Sequence, residues 1–206
     1  LVGVYDEESS TYKSPFVSIC GDVKKIIVED CTLIGSAKGL FAGLESVESI
    51  EFNEENFDAQ HVTDMSYMFH GCSTLYNLDV GDFYTPSVTD MSYMFCKCGQ
   101  LTELNLGGLD TSEVTDMTSM FEQCFKLEQL RFYNFETANV SSMRKMFYKC
   151  RSLSELNLQY FDTTKVTDMY YTYAECTALK TLNMSSFDLS KVTKVKNTFN
   201  NCSSLA

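Results

Sequence analysis

Apolar and polar positions along this chain recur with a fixed period. The segment Phe57-Asp-Ala-Gln-His-Val-Thr-Asp-Met-Ser-Tyr-Met-Phe69 returns from Phe83, Leu109, Phe135, Phe161 and Phe187, each start lying 26 residues after the last. Self-similarity at such a spacing marks a repeat architecture, in which one small unit is stacked many times. Within a unit, Val62, Val88, Val114, Val140, Val166 and Val192 form an apolar column. Thr63, Thr89, Thr115, Thr167 and Thr193 follow it, with Ser141 as the exception, and a hydroxyl there suits a helix N-cap. Asp64, Asp90, Asp116 and Asp168 come next, where a helix dipole favours a carboxylate. Met65, Met68 and Phe69, with their copies, then make an i, i+3, i+4 stripe that predicts a helix of about two turns.

Cys72, Cys98, Cys124, Cys150, Cys176 and Cys202 end that stripe. Three residues later begins Leu-x-x-Leu-x-apolar, as in Leu75, Leu78 and Val80 or Leu101, Leu104 and Leu106, and its alternation predicts a short half-buried strand. Such a unit cannot bury its apolar side alone, so neighbours stack with strands in parallel on one wall. The expected fold is therefore an α/β solenoid of 26-residue repeats, each with one short convex helix and one short concave parallel strand. Gly39 to Phe52 matches the second half of a repeat, with Phe41 in the Phe69 column and Val47, Ile50 and Phe52 at the strand positions. This predicts an N-terminal cap over 1–36 and a solenoid over 37–206, with a degenerate repeat at 37–56, regular repeats from 57 and the last one incomplete. Within the cap, 24–28 reads as a strand and 1–22 as irregular. A start at Leu1 and a stop at Ala206, where another strand is due, are expected of a piece cut from a longer array.

Composition narrows the functional classes. The 206 residues carry 28 acidic and 16 basic groups, a net charge of −12, which disfavours nucleic acid because phosphate binding needs Lys and Arg. Residues 1–122 hold 21 acids and 5 bases, whereas 123–206 hold 7 and 11, so the charge is split between the halves. No apolar run reaches the roughly 18 residues that would span a bilayer, and direct membrane insertion of this segment is not expected.

The pattern Phe-Asp-Thr-x-x-Val-Thr-Asp-Met-x-x-Met-Phe-x-x-Cys-x-x-Leu-x-x-Leu-Asn-Leu, followed in 161–184 and 109–132, resembles the BspA-type leucine-rich repeat of bacterial and protist surface proteins. Departures are Tyr173 for the column Phe, Thr172 and Thr198 for the second Met, and Lys194-Val195 for Asp-Met. The resemblance implies a leucine-rich-repeat solenoid, displayed at the cell surface or secreted, adhesive in some members, with no enzyme activity.

Residue chemistry points the same way. Cysteines in one column form a row and not a tetrahedral cluster, so buried structural thiols are expected and zinc is not. Cys20 and Cys31 are the expected disulfide pair if the chain is secreted, and Cys96 is expected to be an exposed odd thiol. Asp58, Asp110, Glu136, Asp162 and Asp188 form a carboxylate row whose expected role is in turns, although a calcium ladder is conceivable. His61 and His70 sit in variable columns expected to face solvent, too isolated to serve a nucleophile. Arg144, Lys145, Lys149 and Arg151 cluster as a solvated face or a dock for an acidic partner. No cofactor or metal is called for.

The columns left to vary are the strand residues that alternate with the core Leu positions. Asp79, Glu103, Asn105, Gln129, Arg131, Tyr133, Glu155 and Asn157 are the candidate binding residues on the concave face, with Tyr133 beside Arg131 as an anchor. The expected function is a non-enzymatic interaction or adhesion module for a protein or glycan ligand. The alternative is a structural element that self-associates end to end or laterally.

Overall fold

Residues that share a column in the sequence share a position in space. The structure, a computed structural model, describes residues 3–7, 11–53, 57–133 and 135–206. Residues 1–2 and 8–10 of the expected cap and 54–56 of the expected degenerate repeat lie outside the described residues. The chain winds as a parallel β-solenoid of about 6 turns at a spacing of about 26 residues. Val62, Met65, Met68, Phe69, Cys72 and Leu75, with most of their copies, are fully buried and form one continuous core. Each such side chain contributes about 1.5–3 kcal/mol by leaving water.

Among the described residues there are eleven strands, all short. They are β1 (Val4–Asp6), β2 (Thr11–Lys13), β3 (Lys25–Val28), β4 (Cys31–Ser36), β5 (Ser49–Phe52), β6 (Phe57–Asp64), β7 (Asn77–Leu78), β8 (Glu103–Asn105), β9 (Gln129–Arg131), β10 (Glu155–Asn157) and β11 (Thr181–Asn183). On the strand wall, β3, β5 and β7 pair in parallel, as do β8 with β9 and β10 with β11. Stacked turns align equivalent columns, so Glu103 faces Gln129 and Asn105 faces Arg131. A second wall begins with β4 beside β6 and continues as single parallel bridges from Asp64 through Asp90, Asp116, Ser142 and Asp168 to Lys194.

The expected helices are absent: no helix occurs among the described residues. The Met-x-x-Met-Phe-x-x-Cys segments instead fold into two consecutive β-turns. The Met68 N–H closes on the Met65 carbonyl at 3.2 Å and the Cys72 N–H on the Phe69 carbonyl at 3.2 Å. The third residue of each turn is left-handed, as at Tyr67 with φ 59° and Gly71 with φ 73°. Between these closures, alternate amides leave the turn altogether. Met65, Tyr67, Phe69 and Gly71 donate to the carbonyls of Asp90, Ser92, Met94 and Cys96 at 2.8–2.9 Å. An i, i+3, i+4 apolar pattern is thus satisfied by turns whose outward amides are paired by the next coil. The conformation carries a cost, because a non-glycine residue held at positive φ loses about 1–3 kcal/mol. Tyr93, Lys97, Ser119, Gln123, Lys145 and Lys149 all adopt it. The core that each coil buries outweighs that strain.

The Phe column becomes a stack. Phe41, Phe69, Phe95, Phe121, Phe147, Tyr173 and Phe199 follow one another at centroid distances of 5.3–5.7 Å, with rings within 12° of parallel. Tyr173 keeps the ring but leaves its buried hydroxyl without a hydrogen-bond partner among the described residues.

The segment 1–22, expected to be irregular, contains the antiparallel hairpin β1–β2. Its order has a physical source. In later coils, the carbonyls of Ser66, Met68 and His70 accept amides from the preceding coil. At the first coil the equivalent carbonyls accept from the hairpin region: Lys38 from the Gly3 amide at 2.5 Å, Leu40 from the Ser14 hydroxyl at 2.6 Å and Ala42 from the Ser14 amide at 2.7 Å.

Candidate functional site

Side chains on the strand wall alternate between the core and solvent because a strand turns its residues to opposite faces. Leu104 and Leu156 point inward and are buried, whereas Asp79, Glu103, Gln129, Arg131, Tyr133, Glu155 and Asn157 are exposed and Asn105 is half-buried. Asp79, Glu103, Asn105 and Arg131 are brought together around a depression of about 190 Å3, with Tyr76, Asn77 and Thr102. It lies between β7 and β8, which belong to different sheets. Arg131 lines its edge, with its guanidinium 3.8 Å from the Glu103 carboxylate and donating to Gln129 Oε1 at 3.3 Å. Glu155 and Asn157 stand further along on β10, opposite Thr181 and Asn183. Tyr133 turns to a separate recess.

The outer strand column is locally braced. Asp79, Asn105 and Asn157 each accept the amide two residues on, from Gly81 at 2.8 Å, Gly107 at 3.1 Å and Gln159 at 3.2 Å. These Asx turns end each strand and hold the side chains at defined angles. Close approach then demands glycine at one point: a Cβ on Gly108 would stand 1.9 Å from the Gly81 carbonyl oxygen.

The other candidate groups resolve into structural roles. Six column thiols each donate to the carbonyl of the column aromatic in the preceding coil, from Cys72 to Phe41 at 3.1 Å through Cys202 to Tyr173 at 3.0 Å. Burial pushes the Cys72, Cys124 and Cys176 thiols up to about 12, which suppresses thiolate chemistry. All nine cysteines are free, including Cys20 and Cys31, which line one apolar cleft of about 590 Å3 with Phe16, Ile26 and Phe41. Cys96, expected to be exposed, is buried, and burial followed by the nearby Glu122 carboxylate raises its thiol well above the usual range. His70, expected to face solvent, is also buried; its Nδ1 lies 3.2 Å from the Thr11 hydroxyl, and burial with Lys97 nearby lowers its pKa to about 4. The same column holds buried Glu122 and Ala174, half-buried Tyr148 and exposed Asn200, so its cover varies from coil to coil.

Asp58, Asp110, Asp162 and Asp188 accept the amide two residues on at 2.8–3.0 Å, as turn carboxylates do. Among the described residues, no group of three or more His, Cys, Asp or Glu is placed to hold a metal ion. Thr63 and its copies do not cap helices; Thr89, Thr115 and Thr167 donate their hydroxyls to the carbonyl 26 residues back at 3.1–3.3 Å. A second hydroxyl ladder was not foreseen from the sequence. Buried Thr85, Thr111, Thr137 and Thr163 donate forward to the carbonyls of Asp110, Glu136, Asp162 and Asp188 at 2.7–3.1 Å. Their common column was the available signal.

The basic cluster is largely paired internally. Lys145 meets Glu122 at 3.5 Å, Arg151 meets Glu175 at 2.8 Å and Lys149 meets it at 3.8 Å. Arg144 and Lys194 flank Asp168 at 4.0 and 3.2 Å. By contrast, Asp64, Asp90 and Asp116 stack as like charges; desolvation, then the neighbouring carboxylates, raise the Asp90 pKa.

These features define a repeat protein of the parallel β-solenoid class, with uniform buried columns inside and varied residues on its strand face. Residues 36–134 and 129–206 match the family described as "Mycoplasma protein of unknown function, DUF285". The chain belongs to that family. No curated protein matches it. Among the described residues, no helix is long and apolar enough to cross a membrane.

Proposed function

We propose that this chain is a non-enzymatic interaction module, displayed at the cell surface or secreted, that binds a protein or glycan ligand through its strand face. The single observation that carries the reading is the contrast between uniform inward columns and varied, exposed, braced outer columns around the Glu103–Arg131 depression. A scaffold of this kind supplies preorganised side chains at little ordering cost. Resemblance to BspA-type leucine-rich repeats, some of them adhesive, supports the same reading and the surface location. A catalytic role is disfavoured because the column thiols are protonated by burial, and His70 is buried apart from exposed His61.

Flow cytometry of the labelled chain on cultured epithelial cells tests the proposal. The Glu103→Ala/Arg131→Ala double variant is expected to lower bound signal by about fivefold, in line with loss of one anchor pair. Undiminished binding removes the strand-face assignment, and no binding by the unaltered chain removes adhesion to such cells. The uneven charge favours a second reading, self-association into a larger assembly. Internal pairing of the basic cluster weakens it, and sedimentation at low salt decides: a persistent monomer eliminates charge-driven assembly.

A further inference from the structure

Past the end of β9 the chain builds a recess of about 570 Å3 lined by Phe132, Tyr133, Phe135, Glu136, Thr137, Ala138, Tyr160 and Asp162. Its floor is apolar: Phe135 is buried, Phe132 is half-buried, and the two rings meet edge to face at 5.0 Å. Two large rings stand at its rim in solvent, Tyr133 at 65% and Tyr160 at 83% exposure, the latter the most exposed large apolar side chain described. Both rings stand beside a ready-made cavity with an apolar floor, and exposed rings so placed serve as anchors in recognition.

The polar groups of this recess are one-sided. Glu136 has no side-chain partner among the described residues. Asp162 uses Oδ1 for the Thr164 amide at 2.8 Å and hydroxyl at 2.7 Å, which leaves Oδ2 free. The Thr137 hydroxyl is spent on the Asp162 carbonyl at 2.9 Å. No basic side chain lines the cavity; the Lys165 ammonium donates to Asn139 Oδ1 at 2.6 Å, and the Thr164 hydrogen bonds, joined by its charge, lower the Asp162 pKa. The free carboxylates therefore offer acceptors and negative charge, and the tyrosine faces offer the negative side of their quadrupoles. Both features favour a cation that donates hydrogen bonds over a neutral saccharide, which needs donors as well as acceptors. A guanidinium is the better fit than an ammonium, because it is planar, stacks on aromatic faces and pairs a carboxylate through two parallel N–H bonds.

We propose that the recess between Tyr133 and Tyr160 receives an arginine side chain of a partner polypeptide, stacked on the tyrosines and paired with Glu136 and Asp162. This assignment rests on the interaction-module reading and names the chemistry of its partner. The cavity is larger than one side chain, so residues flanking the arginine enter over the Phe132 and Phe135 floor. Glu136 and Asp162 come from successive coils and give the guanidinium two carboxylates along the solenoid axis.

Titration calorimetry and saturation-transfer NMR with acetyl-Ala-Arg-Ala-amide test it directly, with the citrulline peptide as a neutral isostere and maltotriose as a neutral saccharide. The arginine peptide is expected to bind at least tenfold more tightly than the citrulline peptide. Tyr160→Ala and Glu136→Gln should each weaken it about two- to fivefold, the range of a surface cation–π contact or ion pair. The distal carboxylate variant Asp22→Asn, at an exposed position far along the chain from the recess, should leave it unchanged. Equal binding of both peptides, an equal effect of Asp22→Asn and Glu136→Gln, or tighter binding of maltotriose overturns the assignment. The two levels fail separately. If the peptide does not bind while cell binding still depends on Glu103 and Arg131, only the recess is wrongly assigned; peptide binding as expected, with cell binding indifferent to those two residues, sinks the strand-face reading alone.

Discussion

The two walls of each coil are made from the same chain at the same spacing, yet they hold together differently. On the strand wall, pairing is confined to two to four residues per coil and is divided into separate sheets between β7 and β8 and between β9 and β10. On the turn wall the connection is unbroken, with parallel bridges from Asp64 to Lys194, a thiol ladder and an aromatic stack of nearly parallel rings. The turn wall is the spine, and the strand wall is free to vary. Both depressions discussed above lie where strand pairing lapses. A spine that does not depend on the strand face lets that face change sequence without losing the fold.

The largest test of this contrast removes one core side chain from each wall of the same coil. Phe121→Ala opens the stack and should cost about 3–5 kcal/mol in urea unfolding, the range for a buried Phe. Leu130→Ala on β9, which is only half-buried, should cost about 1–2 kcal/mol. Equal losses would mean that the strand wall shares the spine's burden. Next comes a gain: Tyr173→Phe keeps the stacked ring and deletes a buried hydroxyl without a partner. Thermal unfolding should show about 1–2 kcal/mol of added stability, the penalty of an unmade buried hydrogen bond.

Glycine separates the walls by sign. Gln123 sits at φ 64°, so Gln123→Gly should stabilise by up to about 1 kcal/mol, whereas Gln129→Gly in β9 should destabilise by about 0.5–1 kcal/mol. The same sign at both positions would refute the double-turn geometry. The smallest effect is electrostatic. Asp90 has its pKa raised by desolvation and by Asp64 and Asp116, so the folded state binds its proton more tightly than the unfolded chain does. Its contribution is fully present below the unfolded value near 3.8 and is lost as pH rises through the elevated folded value. Asp90→Asn keeps an acceptor for the Ser92 amide and should add a few tenths of a kcal/mol at pH 7, with the gain vanishing at acid pH. A pH-independent difference would exclude charge stacking as its source.

Much of this was legible in one dimension. The period and the inward columns Val62, Met65, Met68, Phe69, Cys72 and Leu75 were read from spacing alone, as were the parallel strands centred on Leu78, Leu104 and Leu156. The candidate residues Asp79, Glu103, Asn105 and Arg131 were read as neighbours from strand alternation, and they do surround one depression. The recess was not foreseen as a whole: Tyr133 was singled out, but Tyr160 and the free carboxylate of Glu136 belong to different columns, and only winding places them together.

What the sequence determined by itself is therefore the repeat and the division of each unit into buried and exposed columns. Apolar burial depends on side-chain spacing, and spacing is written in the chain. What only the tertiary structure decided is the backbone that satisfies that spacing. Met65, Met68 and Phe69 suit one face of a helix and equally suit two consecutive turns. The turns prevail where a neighbouring coil 26 residues away supplies the carbonyls that their outward amides require. Stacking also buries His70 and Cys96, which share one column, because their neighbours are distant in sequence: Thr11 and Lys97 beside His70, and Glu122 beside Cys96.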